Sequence, residues 1–289
     1  MTGSIRATLL PDRGVLSVAG PDRASFLQGL VTNDLQRLAP DQALYAGLLT
    51  PQGKLLYDFF LVEDGTRILI DVAAAHAADL ARRLSLYKLR AAVDIADVGA
   101  EFKIAALWGP GAVESQGLSR AEGAAGRSKS GDYAFVDPRL AELGVRLLLG
   151  RDTSFTAQNR PEDYAAHRLS LGIADSMEIG RETCYPLEAN FEALHGVDFK
   201  KGCYVGQELT ARMKHKGGLR KRVLPVIGTE PLPPPGTTVT ENSTELGTLI
   251  AAKGANGLAL LRLDRLAEAG ALSAGEIPLS VHWPSWLPR

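Results

Sequence analysis

Apolar positions recur at strand spacing through residues 14–19, 43–50, 55–62 and 67–72, and turn residues separate the runs. Gly20-Pro21-Asp22 announces a short helix after the first run, with Phe26, Leu27, Leu30 and Val31 as its apolar face. Pro51-Gln52-Gly53-Lys54 has the chemistry of a hairpin turn between the second and third runs. Residues 74–89 change to helical spacing through Leu80, Leu84 and Tyr87, and strand-like runs follow at 91–98 and 103–108. The stretch 114–132 is rich in Gly, Ser, Ala and Arg without an apolar period, and reads as a surface loop. Strands resume at 133–136 and 145–149, and residues 161–171 open as a helix with Pro, Glu and Asp in the first turn. Beyond Arg222, short β-like runs alternate with Pro- and Gly-rich turns, the pattern of a small all-β module. The fold class is therefore α+β, divided as residues 1–100, 101–220 and 221–289.

The 289 residues carry a net charge of -1, so no global field draws the molecule to nucleic acid or to an anionic surface. No apolar stretch is long enough to span a membrane, and the N-terminus lacks the pattern of a secretory signal. Two cysteines, Cys184 and Cys203, build neither a disulfide framework nor a four-ligand metal site, which points to a reducing, cytoplasmic setting. The histidines match no zinc spacing, and neither a Walker loop nor a dinucleotide glycine pattern is present.

The densest chemistry lies between Lys200 and Arg222. Eight cations stand against the single acid Glu208, a local charge of +7, which suits a polyanionic small molecule or an acidic partner. A solvated basic face is the plainer reading. Direct tRNA binding is not expected, because Tyr204 is the only Phe, Tyr or Trp in the segment. Read as a helix from Cys203 to Met213, the run places Val205, Leu209 and Met213 on an apolar stripe. Cys203, Gln207 and Thr210 then share a polar face. A thiol at such a helix start, beside Lys200 and Lys201, is favoured as thiolate. A packed cysteine is the alternative, and the one read for Cys184. Asp58 interrupts the apolar row Leu56, Phe60 and Val62, as a ligand-binding acid, a general base or a solvent-edge residue. Asn33 and Asp34 are either ligand contacts or a plain turn after the first helix.

Lys201-Gly202-Cys203-Tyr204-Val205-Gly206-Gln207-Glu208 resembles the KGCYxGQE signature of the YgfZ family, folate-binding relatives of the glycine-cleavage T-protein. The likeness extends to Thr32-Asn33-Asp34, the 49–54 turn, Pro186-Leu187-Glu188-Ala189-Asn190, Leu209-Thr210-Ala211-Arg212 and Arg220-Lys221-Arg222. In these details it is most similar to the branch of mitochondrial iron-sulfur cluster assembly factors. The resemblance implies a T-protein-like fold with a C-terminal β-barrel, and a folate-binding accessory factor that matures [4Fe-4S] clusters with an A-type carrier protein. It implies Cys203 as the acting thiol and a ligand of a transient cluster shared with the partner. For tetrahydrofolate it implies contacts from Asn33, Asp34, Asp58, Arg168, Glu188, Asn190, Lys201, Gln207, Arg212 and Arg222. Effects on tRNA modification would follow indirectly, through iron-sulfur enzymes. The alternative is a folate-dependent one-carbon transferase using Asp58. Its superfamily glutamate is replaced here by Ser170, whose hydroxyl lacks a charged contact to a pterin.

Overall fold

In the computed structural model, which describes residues 4–128, 131–266 and 270–288, alternating apolar runs pair into two five-stranded antiparallel sheets and a barrel. The first sheet runs in the order Leu44–Leu49, Leu55–Glu63, Arg67–Ala73, Arg13–Ala19, Asp94–Asp97. Its two faces differ in character. Leu16, Val18, Tyr57, Phe59, Leu61 and Ile70 pack with the helix Ala74–Tyr87 through Ala77, Leu80 and Leu84. Val15, Tyr45, Phe60, Val62 and Leu69 face the second sheet.

The second sheet follows the order Arg6–Leu9, Phe102–Trp108, Val145–Gly150, Tyr133–Val136, Ala125–Arg127. Two expectations change here. The strand Arg6–Leu9 pairs with Phe102–Trp108, so the N-terminus belongs to this sheet and crosses the division drawn at residue 100. Part of the stretch read as loop supplies an edge strand, because Ala125–Arg127 pairs with Tyr133–Val136 despite having no apolar period. An edge strand half out of the core needs ladder hydrogen bonds more than an apolar period.

The strands Lys221–Gly228, Asn256–Arg262, Thr244–Lys253, Thr238–Glu241, Leu272–Ala274 and Ile277–Val281 close a barrel around Leu224, Val226, Leu249, Ala259 and Leu261. Val223, Ala251 and Leu258 also join the inter-sheet core, so the barrel is seated on the body. Trp286 fastens it further by donating its indole N–H to the Leu171 carbonyl at 2.8 Å. Among the described residues no helix is long and apolar enough to cross a membrane.

The seam between the sheets is charged as well as apolar. Asp71 binds Arg13 at 2.7 Å and Arg146 at 3.0 Å, and Asp137 binds Arg139 at 2.8 Å and Arg146 at 3.3 Å. Arg146 and Arg139 also lie over the Phe60 ring, at 4.2 and 5.0 Å from its centroid. Burial alone would raise Asp137, but the guanidiniums of Arg139 and Arg146 outweigh it and hold the carboxyl below its usual range.

Candidate functional site

The signature segment folds back onto the N-terminal sheet. Gly196 sits where a Cβ would meet the Phe191 and Tyr45 rings at 2.6 and 2.9 Å, so only glycine lets the chain pass. Thr32 Oγ1 donates to the Gly196 carbonyl at 2.5 Å, and the Asp198 amide donates to the Thr32 carbonyl at 3.1 Å. Asn33 Nδ2 donates to the carbonyls of Tyr45 and His195, both at 2.7 Å. The Lys201 ammonium then donates to the carbonyls of Gln28, Val31 and Asn33 at 2.8, 2.6 and 2.9 Å. These cap the end of the helix Arg23–Gln28, where a cation is favourable. Burial lowers the Lys201 pKa to about 8, while three carbonyl acceptors use all three donors of the charged form.

Cys203 follows, exposed, with its neighbours held on both sides. Tyr204 is buried and its amide donates to Gln207 Oε1 at 3.3 Å, while the Val205 amide donates to the Gly29 carbonyl at 3.3 Å. Gly206 has φ 78°, and a Cβ there would lie 2.4 Å from the Thr50 carbonyl oxygen. The helix therefore starts later than the spacing implied, at Gln207, and runs Gln207–Lys216. Two expectations are corrected by this: Cys203 stands in the loop before the helix, and Thr210, assigned to the polar face, is fully buried. Lys201 faces inward and does not flank the thiol as a free cation.

The remaining candidates are mostly occupied by the protein itself. Asp34 accepts from Gln28 Nε2 at 2.8 Å and from the Gln36 amide at 3.1 Å. Arg168 makes a two-pronged bond to Glu178, 2.7 Å on each arm, and Asn190, at φ 62°, donates Nδ2 to the Val223 carbonyl at 2.8 Å. Arg222 donates to the Pro288 carbonyl at 3.1 Å and lies 5.8 Å from the Trp283 ring centroid. Only Glu188 and Arg212 share a described cleft, of about 450 Å³, with Tyr185, Leu209, Met213 and Arg220. Glu188 is buried and accepts from the Tyr185 amide at 2.8 Å; Arg212 is exposed. Sequence reasoning missed Arg13, Asp71, Asp137, Arg139 and Arg146. Their signal was available, since Asp71 and Arg146 each interrupt an apolar run.

Asp58 is closed in by the protein itself and is not among the residues that line the cavity of the seam. Its carboxylate is 4% exposed and accepts the Tyr45 hydroxyl at 3.0 Å. Burial, and then the Asp58 charge, push the Tyr45 pKa well up, so the phenol stays neutral and donates. The cavity on this seam, lined by Arg13, Arg146, Tyr164, Arg168, Asp175 and Glu178, measures about 230 Å³. Small-molecule sites are usually about 300–1,000 Å³, and these arginines are already paired. Ser170 is exposed at the end of the helix Pro161–Ser170, donating to the His167 carbonyl at 2.7 Å, and does not share that cavity.

Cys184 is the opposite of Cys203. It is 2% exposed, and burial pushes its thiol up to about 12. Among the described residues no cluster of three or more His, Cys, Asp or Glu could hold a metal. A [4Fe-4S] cluster takes four thiolates, so one resting on Cys203 needs ligands from outside this chain.

Residues 13–124 match the GCVT N-terminal domain, and residues 220–289 match the CAF17 C-terminal β-barrel domain. The human mitochondrial iron-sulfur cluster assembly factor IBA57 is 32% identical over 305 aligned positions, covering 96% of this chain and 84% of the human protein. The chain belongs to the IBA57 family. A second IBA57 homologue, from Mycosarcoma maydis, is 34% identical over 236 residues; the match takes in 75% of this chain and about half (56%) of that longer protein. The solved aminomethyltransferase T of Bartonella henselae shares the fold, with a TM-score of 0.77, 15% identity, and coverage of 98% of this chain and 86% of that one. The IBA57 relatives are named as mitochondrial, which overturns the cytoplasmic expectation. Unpaired cysteines indicate only that no disulfide framework is used, and do not separate one reducing compartment from another.

Proposed function

We propose that this chain is an accessory factor for the maturation of [4Fe-4S] clusters, with Cys203 as a transient ligand of a cluster passed to or from an A-type carrier protein. One observation carries the reading: the single exposed cysteine stands on a loop tied down on both sides of it, within a member of the IBA57 family. An exposed thiol held at a fixed place can offer sulfur to iron without first ordering its own backbone. The ligands it lacks come from the partner. Lys200, Arg212, Arg220 and Lys221 are exposed and have no ion-pair partner among the described residues, and favour an acidic partner surface. Neither a folate step nor aminomethyl transfer forms part of the proposal.

The test is aconitase-type [4Fe-4S] activity in cells deleted for the gene and rescued with wild type, Cys203→Ser or Asp58→Asn. Wild type and Asp58→Asn are expected to restore activity; Cys203→Ser is expected to fail at equal protein level. Rescue by Cys203→Ser would overturn the reading, as would full activity in the deletion strain. Failure of Asp58→Asn alone would return the transferase reading to favour.

A further inference from the structure

The thiol loop depends on one buried cation. Residues 195–205 and 28–33 are separated by most of the two sheets in sequence, yet a ladder of hydrogen bonds laces them together. In that ladder Lys201 has the central place. Its side chain is buried, its ammonium lies 4.8 Å from the Tyr204 ring centroid, and it satisfies three carbonyls at once. Cys203 is two residues away, and Gly202 between them meets nothing where a Cβ would stand. The backbone at the thiol therefore has no packing of its own at Gly202 and takes its position from Lys201 on one side and Tyr204 on the other.

We propose that Lys201 is the positioning residue of the site: its ammonium fixes the Cys203 loop on the end of the first helix and so sets where the thiol meets its partner. This rests on the reading of Cys203 as the acting thiol. A positively charged group with three donors is required, because three carbonyls converge on one nitrogen. Methionine keeps the length and the packing on Tyr204 but removes the donors. Arginine keeps the charge, but its planar fork cannot turn three N–H groups from one atom.

Amide hydrogen exchange and cluster maturation, measured on the full chain as wild type, Lys201→Met and Lys201→Arg, test this. In Lys201→Met the Tyr204 and Val205 amides are expected to exchange faster, on the order of tenfold. The amides within Gln207–Lys216 and the barrel should keep their wild-type rates. Maturation activity should fall on the order of tenfold, with Lys201→Arg in between. Cys184 serves as the internal control, since a buried thiol alkylates only when the body opens. If Lys201→Met exposes Cys184, the same amides are read in Lys201→Arg instead. Wild-type exchange at Tyr204 and Val205 would overturn the proposal, and so would loss of protection with unchanged maturation. If Cys203→Ser matures clusters as wild type does, the reading of the thiol fails whatever Lys201 does to the loop.

Discussion

The two thiols of this chain are set apart by their surroundings. Cys184 is packed beside the Tyr185–Asn190 turns, where burial and then the Glu188 charge raise its pKa to about 12. A thiol whose pKa is raised on folding supports the fold fully while the unfolded thiol is protonated. It loses that contribution as pH rises from the unfolded value, about 8.5, toward the folded one. Urea unfolding should thus show the advantage of wild type over Cys184→Ala shrinking between about pH 8 and pH 11. A pH-independent difference would show that Cys184 acts through packing alone. The packed reading of Cys184 and the outward reading of Cys203 both hold, although Cys203 is exposed on the loop before the helix and not on a helical face.

At the level of the element, the join between the 50–54 turn and the helix Gln207–Lys216 is tight. Gly53 and Gly206 approach each other at positive φ, 77° and 78°, and Leu209 packs under the turn. Gly206→Ala places a methyl 2.4 Å from the Thr50 carbonyl oxygen in a left-handed backbone, and should cost more than about 1 kcal/mol. Its urea midpoint should drop, and Val205 should lose its hydrogen bond to Gly29 first, seen as faster amide exchange. Strands and long helices were legible from periodicity because each buries a face of fixed period. The start of the signature helix was not: Cys203 and Val205 fit a helical stripe as well as they fit a loop, and a left-handed glycine contacting a turn 150 residues earlier leaves no local trace. Of the candidates Asn33, Asp34 and Asn190, Asp34 is the plain turn that the sequence allowed, accepting from Gln28 and Gln36 close by. Asn33 and Asn190 are spent on backbone carbonyls of other segments, which local sequence does not show.

For the whole molecule, the charged seam joins what the first two divisions of the sequence kept apart. Arg13 and Asp71 come from the first sheet, Arg146 from the second, Asp137 and Arg139 from the turn after Tyr133–Val136, and Arg146 bridges both carboxylates. Removing one partner leaves buried charge uncompensated. Asp137→Asn should therefore cost about 3–5 kcal/mol, seen as a lower urea midpoint with one cooperative transition. A loss confined to the second sheet would show instead that the sheets unfold independently.

Lys201 meets carbonyls 168, 170 and 173 residues earlier in the chain. A growing chain emerging from the ribosome can complete its first sheet long before this lysine exists, and must then hold the helix end uncapped. At about 5–20 residues per second, roughly 5–20 seconds of synthesis separate the end of the first sheet at Asp97 from Lys201. The exposed thiol is thereby seated only when nearly all of the body is made, so premature fragments carry the scaffold of the candidate site without its thiol loop.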